Sequence, residues 1–379
     1  MKIGLLGCGV VGKEVLKMID AMPSEKVEVV RILTRNKRHE PRFTTDFNDL
    51  MNDDIDTIIE VMGGLHPAYE YIKASLNAKK NVISANKAVI AKHFKEFADL
   101  AIENEVSFKI EASVGGGIPW IRELQRIKRM DTIQQFSGIF NGTTNYILDR
   151  MHQYELSFET ALMDAQKKGY AESDPSSDID GFDIQNKCAI SASVAYDSFI
   201  DVDKIPVFGI ASILKEDIDY FKSKNLVCKL MGFSRHYGSS ISLYVCPVCL
   251  NGLMAHVGDN LNIASCISQH LGKLEMIGQG AGGSPTATAV ISDLLDLFKN
   301  NTIPFLFHHS LDIDNSKELH HFYLRERIED FHEELALSYE KDETYIYMKT
   351  KRMTLNELLS IVSSKDVFLA LLEDKHENR

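Results

Sequence analysis

The sequence predicts an α/β fold, with a Rossmann-type parallel sheet in the first third, an α+β region in the middle and a small α+β region at the end. The chain opens on a short apolar strand, Lys2 to Leu6, that leads directly into a glycine turn and an amphipathic helix. Strands and helices then alternate at the spacing of βα units, which is typical of parallel sheets. Past Trp120 the pattern changes, which indicates a second structural region.

Composition and charge limit the kinds of protein this can be. At 379 residues, with 44% apolar and 25% charged residues, the chain is an ordinary globular one with room for several domains. The formal net charge of −12 argues against nucleic acid or an anionic membrane as the main partner. No apolar run approaches the roughly 18 residues of a membrane helix, and the N-terminus resembles a folded domain rather than a signal peptide. We therefore expect a cytoplasmic protein.

The cysteines agree with that expectation. There are six, mostly in apolar surroundings, as expected of reduced and buried thiols. Cys246 and Cys249 form a C-x-x-C pair, but inside a β-rich run and without a second pair at zinc-finger spacing. The sequence therefore does not favour a redox or metal role for this pair.

The glycine turn G-C-G-V-V-G places Gly7, Gly9 and Gly12 between a strand and a helix, the context that a dinucleotide fingerprint requires. Gly7 permits the tight turn, Gly9 lets a pyrophosphate approach the backbone, and Gly12 lets the helix pack on the strand. The helix N-terminus at Val10 and Val11 then supplies N–H groups to the phosphates. The alternative is a glycine-rich turn that binds no nucleotide.

The end of the second strand, Val27 to Leu33, carries the run T-R-N-K-R. An acid at this point would bind the adenosine 2′-hydroxyl of NAD, but the run has no acid and contains three cations. Arg35 and its neighbours suit a 2′-phosphate, so we predict that NADP binds at least as well as NAD. The alternative is a solvated basic loop.

Later strands in this region end in residues suited to ligand binding. Strands are predicted at Asp56 to Val61, Val82 to Ala85 and Val106 to Ala112, with helices at 68–78 and 91–103 between them. Lys87 follows the second of these strands and so lies at the carboxyl edge of the sheet, where ligands bind in open α/β folds. A solvated lysine is the alternative.

An acidic segment runs from Gly169 to Lys187, and its second half is predicted to open a helix. Its acids are Glu172, Asp174, Asp178, Asp180 and Asp183. Asp183 and Lys187 are four residues apart and share one helix face, in the favourable acid-before-base order. An amine held among carboxylates can transfer a proton and bind a zwitterion. The alternative is a solvated loop with a surface ion pair.

A calcium loop is excluded for this segment, although S-S-D-I-D-G resembles part of an EF-hand. With Gly181 at position 6 of such a loop, Ser176 falls at position 1 and Lys187 at position 12. Those positions require an aspartate and a bidentate glutamate.

These motifs, in this order, resemble the homoserine dehydrogenase family, whose enzymes interconvert L-aspartate 4-semialdehyde and L-homoserine. The resemblance covers roughly residues 1 to 305 and is most specific in the two blocks around Asn141 and Lys187. The motifs are G-C-G-V-V-G, A-N-K-A, E-A-S-V-G-G-G-I-P, G-I-F-N-G-T-T-N-Y-I-L, G-Y-A-E-S-D-P-S-S-D-I-D-G-F-D-I-Q-N-K and G-Q-G-A-G-G-S-P-T-A.

The resemblance implies roles for individual residues. Lys187 matches the proton donor and acceptor, and Asp183 the acid that binds substrate and orients the lysine. Glu172, with Asp178, matches the residues that bind substrate, and Glu172 takes its ammonium group. Lys87 matches a lysine near the nicotinamide. The remaining matches are Gly169 and Gly280 for the cofactor, and Glu111 with the backbones of Val114, Gly116 and Ile118 for a monovalent cation, usually sodium.

The resemblance also implies a domain plan. Residues 1–131 and 278–305 would form a discontinuous nucleotide-binding domain, and 132–277 an inserted catalytic and dimerisation domain. The enzyme would be a cytoplasmic homodimer or larger homo-oligomer of the threonine and methionine pathways. Its substrate would be a small molecule, with neither nucleic acid nor a membrane as partner.

The tail, residues 320–379, resembles a shortened form of the ACT-type regulatory domain of many bacterial relatives. His321 to Ile328 is predicted as its first strand, but the following E-D-F-H-E-E-L lacks the proline-glycine turn at which that domain binds its effector. The sequence therefore does not predict feedback inhibition by threonine, and it favours a structural or assembly role for the tail.

Alternatives to this function come from other classes. The odd tail suggests a catalytically silent paralogue that binds dinucleotide and serves regulation. A dehydrogenase of a related amino-acid aldehyde or amino acid with the same fold is the other, and it would need a different pattern around Glu172. The residue that binds the substrate carboxylate is not identifiable from the sequence.

Overall fold

The computed structural model describes residues 1–22, 27–52, 54–362 and 366–373. It divides into two compact units, each made of three chain segments. Unit 1 consists of Met1–Ile133, Ala189–Val202 and Gly278–Ser310, and unit 2 of Gln134–Cys188, Asp203–Ile277 and Leu311–Arg379.

Strands and helices alternate along most of the chain. The strands are β1 (Lys2–Leu6), β2 (Glu28–Leu33), β3 (Phe43–Thr44), β4 (Thr57–Glu60), β5 (Asn81–Ser84), β6 (Phe108–Lys109), β7 (Ile133–Ile139), β8 (Val227–His236), β9 (Ser240–Leu250), β10 (Leu261–Ser268), β11 (Gly272–Gln279), β12 (Asp312–Ile313), β13 (His321–Arg327), β14 (Ala336–Lys341), β15 (Tyr345–Thr350) and β16 (Phe368–Leu372). The helices are α1 (Val10–Asp20), α2 (Ala68–Asn77), α3 (Lys87–Glu103), α4 (Trp120–Lys128), α5 (Gly142–Tyr154), α6 (Phe158–Lys167), α7 (Ser176–Ile179), α8 (Phe182–Ala195), α9 (Lys215–Ser223), α10 (Gly283–Phe298) and α11 (Leu355–Ile361).

Unit 1 contains a parallel sheet with the strand order β3-β2-β1-β4-β5-β6. This is the Rossmann order, in which the direction of strand addition reverses between β1 and β4. The predicted Rossmann-type sheet is therefore confirmed. Its core joins buried residues of β1 and α1 to Ala287, Val290 and Leu294 of α10. The predicted strand at 106–112 is shorter than expected, because a 3₁₀ turn begins at Glu111.

Unit 2 is built on a mixed sheet. Among the described residues it has the order β11-β10-β7-β8-β9-β16-β13-β15-β14, with β12 also paired to β9. The last strand of the chain, β16, pairs in parallel with β9 at Leu371 and Val248. The predicted α+β character is confirmed, and the carboxyl-terminal strands extend the same sheet rather than forming one of their own.

The carboxyl-terminal strands have the order 4-1-3-2 when counted from β13, since β16 and β15 flank β13 and β14 pairs with β15. Two 3₁₀ turns, at Ile328–Asp330 and Glu333–Leu335, occupy the stretch between β13 and β14. The short strand β12 lies between α10 and β13. Residues 363–365 and 374–379 of the predicted tail lie outside the described residues.

No helix in the described part of the chain is long and apolar enough to cross a membrane. All six cysteines are buried and free. Cys246 and Cys249 lie inside β9, where burial raises the pKa of both thiols well above the usual range. Neither thiol is therefore poised for redox or metal chemistry.

Candidate active site

The glycine turn after β1 has the geometry that a dinucleotide phosphate requires. Gly7 has a φ of +97°, and a Cβ on Gly12 would lie 2.4 Å from the carbonyl oxygen of Gly7. A Cβ on Gly9 would meet no atom within 4 Å, so the space above this residue is open. Val10 is 75% exposed at the start of α1, which leaves its N-terminus accessible to an anion.

A cavity of about 650 Å³ lies beside this turn. Gly7 and Gly9 line it together with Arg35 and Arg38 from the loop after β2 and with the Val61–Gly63 segment after β4. The Arg38 guanidinium lies 4.6 Å from the centre of the Phe43 ring. Among the described residues, no carboxylate forms an ion pair with Arg35. Gly7, Gly9 and Arg35, which the sequence assigns to the cofactor, thus line one ligand-sized cavity.

Lys87 is the first residue of α3 and follows β5, as predicted, but it is not among the residues that line this cavity. The side chain of Asn86 caps α3 by accepting from the N–H of Val89, and its amide donates to the carbonyl oxygen of Gly64 at 2.7 Å. Lys87 is therefore held at the carboxyl edge of the sheet by its neighbour.

Glu60, which the sequence analysis did not single out, lies at the centre of this edge. It ends β4 and is fully buried. Its carboxylate accepts from the Ser84 hydroxyl at 2.5 Å and from the Met62 N–H at 2.8 Å, and the Asn86 amide lies 3.5 Å away. All of these partners donate, so the network fits the ionised carboxylate. Glu60 thereby links the ends of β4 and β5.

Burial raises the pKa of Glu60 to about 7, against the lowering effect of its hydrogen bonds. A carboxyl group whose pKa is raised on folding stabilises the fold below its unfolded pKa and loses that contribution as the pH rises through the folded value. The parent should therefore lose stability relative to the Glu60→Gln variant as the pH rises. Between pH 4.5 and 8, the free energy of unfolding of the variant should increase by up to about 3 kcal/mol relative to that of the parent. Urea unfolding at several pH values measures this gain. A constant difference across that range would contradict it.

A second buried acid, Glu111, begins the 3₁₀ turn after β6. Its Oε2 accepts from the N–H of Arg122 at 2.8 Å, whereas its Oε1 is buried without a hydrogen-bond partner among the described residues. Asp293 of α10 accepts from the N–H of Glu111 at 2.9 Å. Burial, with the charge of Asp293, raises the pKa of Glu111 to about 8. Such a position favours a bound cation.

The other residues predicted to bind the cation lie in the loop between this 3₁₀ turn and α4. Val114 and Ile118 are buried, and Gly116 has a φ of +57°. A Cβ on Gly116 would lie 2.5 Å from the carbonyl carbon of Gly280, so these two predicted residues are in contact. Within the described residues, no group of three or more His, Cys, Asp or Glu could hold a metal. A site made of one carboxylate and backbone carbonyls is a different kind, suited to a hard cation.

The predicted Asp183–Lys187 pair is present in unit 2, one helical turn apart near the start of α8. Lys187 Nζ lies 2.8 Å from Asp183 Oδ2 and donates to the carbonyl oxygen of Phe140 at 2.6 Å. The side chains are 8% and 2% exposed, which excludes a solvated surface pair. The helix differs from the prediction in one respect, because Gly181, at a φ of +89°, separates α7 from α8.

Asn141 joins this pair to a second acid, although the sequence analysis gave it no role of its own. Its amide donates to Asp178 Oδ1 and to Asp183 Oδ2, each at 2.7 Å. Its side-chain oxygen Oδ1 accepts a hydrogen bond from the N–H of Thr144 and so caps α5. The amide nitrogen of Asn141 thus holds two carboxylates beside Lys187, while its side-chain oxygen is used by the helix cap.

The remaining predicted residues of the acidic segment are not part of this cluster. Glu172 is exposed, and no hydrogen bond in the described chain ties its side chain to the pair. Gly169 follows α6 with a φ of +76°, and a Cβ there would meet nothing within 4 Å. The structure therefore assembles Lys187, Asp183 and Asp178, but leaves Glu172 and Gly169 outside their hydrogen-bond network.

Two protein-family models match most of the chain. A model described as the NAD binding domain of homoserine dehydrogenase matches residues 7–111, and one described as homoserine dehydrogenase matches residues 119–295. The chain is 36% identical to the homoserine dehydrogenase of Bacillus subtilis over 317 residues, which cover 79% of this chain and 73% of that protein. It is 35% identical to that of Helicobacter pylori, over 80% of this chain and 75% of the relative.

Solved structures give the same result. A homoserine dehydrogenase from Thiobacillus denitrificans aligns with a TM-score of 0.86 and 29% identity, over 99% of this chain and 98% of that one. A homoserine dehydrogenase from S. aureus aligns with a TM-score of 0.76 and 30% identity, over 98% of each chain.

Proposed function

The chain belongs to the homoserine dehydrogenase family, and we propose that Lys187 is the residue that gives and takes the proton in its reaction. The reaction is an oxidoreduction of a CH–OH group, which interconverts L-homoserine and L-aspartate 4-semialdehyde with a nicotinamide dinucleotide. The comparisons offer no support for the silent paralogue, since the relatives reported above bear the name of the enzyme.

The proton chemistry follows from the buried cluster. When bound, the reduced nicotinamide supplies the hydride that converts the aldehyde to an alcohol. Lys187 supplies the proton that the new alcohol oxygen needs, and takes it back in the reverse direction. The Asp183 carboxylate balances the ammonium charge and fixes its position, and Asn141 fixes Asp183. Asp178 and Glu172 are proposed to bind the substrate, with Glu172 at its ammonium group.

The observation that carries this proposal is the burial of an amine and a carboxylate in one hydrogen-bonded cluster. A steady-state assay with homoserine and each oxidised dinucleotide, and with aspartate semialdehyde and each reduced one, tests it. Including threonine in parallel reactions tests feedback inhibition. We expect turnover in both directions. Absence of turnover with both cofactors would refute the function. Activity on a related amino acid, without activity on homoserine, would instead identify the chain as a dehydrogenase of that amino acid.

The residues around the glycine turn fit a dinucleotide, since its open space and accessible helix N-terminus suit a pyrophosphate. We propose that Gly7, Gly9, Gly12 and the first turn of α1 hold the phosphates, and that Lys87, Gly169 and Gly280 complete the cofactor site. The Arg35 side chain, which lines the cavity without a carboxylate partner in the described chain, is proposed to bind the 2′-phosphate of NADP.

Arg35→Ala should weaken NADP binding by about tenfold or more, with a much smaller effect on NAD, because only NADP carries the phosphate. Fluorescence titration with the reduced dinucleotides gives both dissociation constants. Arg42→Ala is the matched control, since Arg42 forms an exposed ion pair with Asp20 and does not line the cavity. Equal weakening of both dinucleotides by Arg35→Ala would identify the basic loop as bystander charge.

The buried Oε1 of Glu111, which receives no hydrogen bond from the described residues, fits a monovalent cation. We propose that Glu111 and the backbones of Val114, Gly116 and Ile118 bind sodium, whose charge would compensate for burying the carboxylate. The cation would thereby hold this loop in place.

Sodium should raise the thermal midpoint of the parent protein more than the same concentration of tetramethylammonium does, because binding to the folded state stabilises it. Glu111→Gln should abolish this difference. Glu103→Gln, which changes an exposed acid of α3, should preserve it. The two cations acting equally on the parent protein would contradict the site.

The finer organisation is also a proposal. We assign dinucleotide binding to residues 1–131 and 278–305 and catalysis with dimerisation to 132–277, in a cytoplasmic enzyme of threonine and methionine synthesis. The free, buried cysteines support this compartment. Exposed apolar side chains of unit 2, such as Leu253, Leu271 and Ile277, support self-association. Light scattering of the purified chain measures the subunit number.

A further inference from the structure

A buried ion pair fastens the carboxyl-terminal strands to the rest of unit 2. Asp217 of α9 and Arg325 of β13 are 0% and 1% exposed, and Arg325 Nε donates to Asp217 Oδ1 at 2.8 Å. The Tyr323 hydroxyl donates to the same oxygen at 2.6 Å, and the N–H of Leu214 donates to Asp217 Oδ2 at 2.7 Å. Separating such a pair would leave a buried charge without a partner, which is energetically costly. We therefore expect this contact to stay closed in the folded protein.

The same arginine also holds the loop that precedes α9, residues 207–214. Arg325 Nη2 donates to the carbonyl oxygen of Ser212 at 2.7 Å, and Nη1 donates to that of Asp366 at 2.8 Å. The Ser212 hydroxyl donates to the carbonyl oxygen of Val367 at 2.7 Å. Ser212 of the 207–214 loop is therefore bound both by Arg325 of β13 and by Val367, just before β16.

The other side of this loop packs on the acidic segment. The N–H of Ile210 donates to the carbonyl oxygen of Ile179 at 2.7 Å. A Cβ on Gly209 would lie 2.1 Å from that same oxygen, and one on Gly181 would lie 2.9 Å from a Val207 methyl group. These contacts fall on residues 179–181, between Asp178 and Asp183, and they are too close to accommodate any added atom.

We propose that the carboxyl-terminal region positions the substrate-binding acids, with Arg325 as the positioning residue that acts through the 207–214 loop. Arg325 holds the loop in position, and the loop fixes the position of the backbone from Ile179 to Gly181. That backbone in turn fixes the positions of Asp178 and Asp183, which lie on either side of it. Asn141 and Lys187 then hold the two carboxylates by direct hydrogen bonds. The region acts as a structural brace of the catalytic unit. This inference rests on the proposed roles of Lys187 and its neighbouring acids.

Arg325→Lys and Gly209→Ala test the two ends of this connection. The first keeps the charge but loses the fork of donors to Ser212 and Asp366, and the second forces the loop away from Ile179. A small displacement of reacting groups is costly, so each should lower kcat/KM for homoserine by about ten- to a hundredfold, mainly through KM. The dissociation constant of the reduced dinucleotide should stay within about twofold, since neither Arg325 nor Gly209 is among the residues proposed to bind the cofactor.

Each variant has a matched control in unit 2. Arg327→Ala, on the same strand, breaks an exposed ion pair with Asp366 and should leave every constant within about twofold. Gly252→Ala adds a Cβ that meets no atom within 4 Å and should do the same. In the double variant Arg325→Lys/Gly209→Ala, kcat/KM for homoserine should fall by a smaller factor than the product of the two single-variant factors, because both changes disrupt the same connection.

The outcomes separate this inference from the proposed function. If the parent chain turns over homoserine and Arg325→Lys and Gly209→Ala behave like their controls, the inference is overturned. A parallel fall in dinucleotide affinity and in kcat/KM for homoserine would also overturn the inference, because such a result would indicate a general loosening of the fold. Should Arg325→Lys fail to fold, Gly209→Ala decides alone, since it leaves the buried ion pair intact. A parent chain without turnover would refute the proposed function itself.

Discussion

Replacing Lys187 by alanine should lower kcat by about a thousandfold or more in both directions, because alanine cannot exchange a proton with the substrate oxygen. The dissociation constant of the dinucleotide should change by no more than a few-fold. Stopped-flow or steady-state assays give the first quantity, and fluorescence of the bound reduced dinucleotide gives the second.

Two further variants make this result interpretable. Lys187→Ala leaves the Asp183 carboxylate buried without its lysine, which destabilises the protein. Lys187→Arg keeps a charge beside Asp183 but places there a group that does not lose its proton, so it should fold and be nearly as inactive. Lys215→Ala removes the lysine of an exposed i,i+4 pair with Asp219 and should be fully active. Substantial turnover by Lys187→Arg would refute the assignment.

The parts of the site that were predictable from the sequence depend on short-range geometry. Gly7, Gly9 and Gly12 follow a strand within a few residues, and their conformational roles are local. Asp183 and Lys187 are four residues apart, so helical periodicity alone places them together. The parallel sheet followed from the alternation of strands and helices. Each of these features could be recognised without knowing what lies next to it in space.

The residues that were missed owe their roles to distant partners. Asn141 holds acids 37 and 42 residues away, and an Asn-Gly pair before a helix is explained equally well as a turn and a cap. Glu60 ends a strand, a common place for an exposed acid, and its burial depends on Ser84, 24 residues later. The pairing of β16 with β9 joins Leu371 to Val248, and no local pattern predicts which strand a late strand will meet.

Asn141→Asp should have the second largest effect on catalysis. Aspartate caps a helix as well as asparagine does, so α5 should still begin at Gly142. The change instead replaces two donated hydrogen bonds with a third carboxylate, 2.7 Å from Asp178 and Asp183 in a buried site. Like charges at that distance cannot all be ionised, so the cluster must take up a proton or move apart. We expect kcat/KM for homoserine to fall by about a hundredfold at pH 8.

Asn141→Ser distinguishes the effect of the added charge from that of the lost amide hydrogen bonds, because serine also caps the helix but adds no carboxylate. Asn141→Asp should be the weaker enzyme of the two at pH 8, and the gap should narrow toward pH 6, where a proton can neutralise one of the three acids. The ratio of the two kcat/KM values across this range is the measurement. A constant ratio would place the loss in the missing hydrogen bonds alone. Full activity of both variants would mean that Lys187 is held by Asp183 and Phe140 without help from Asn141.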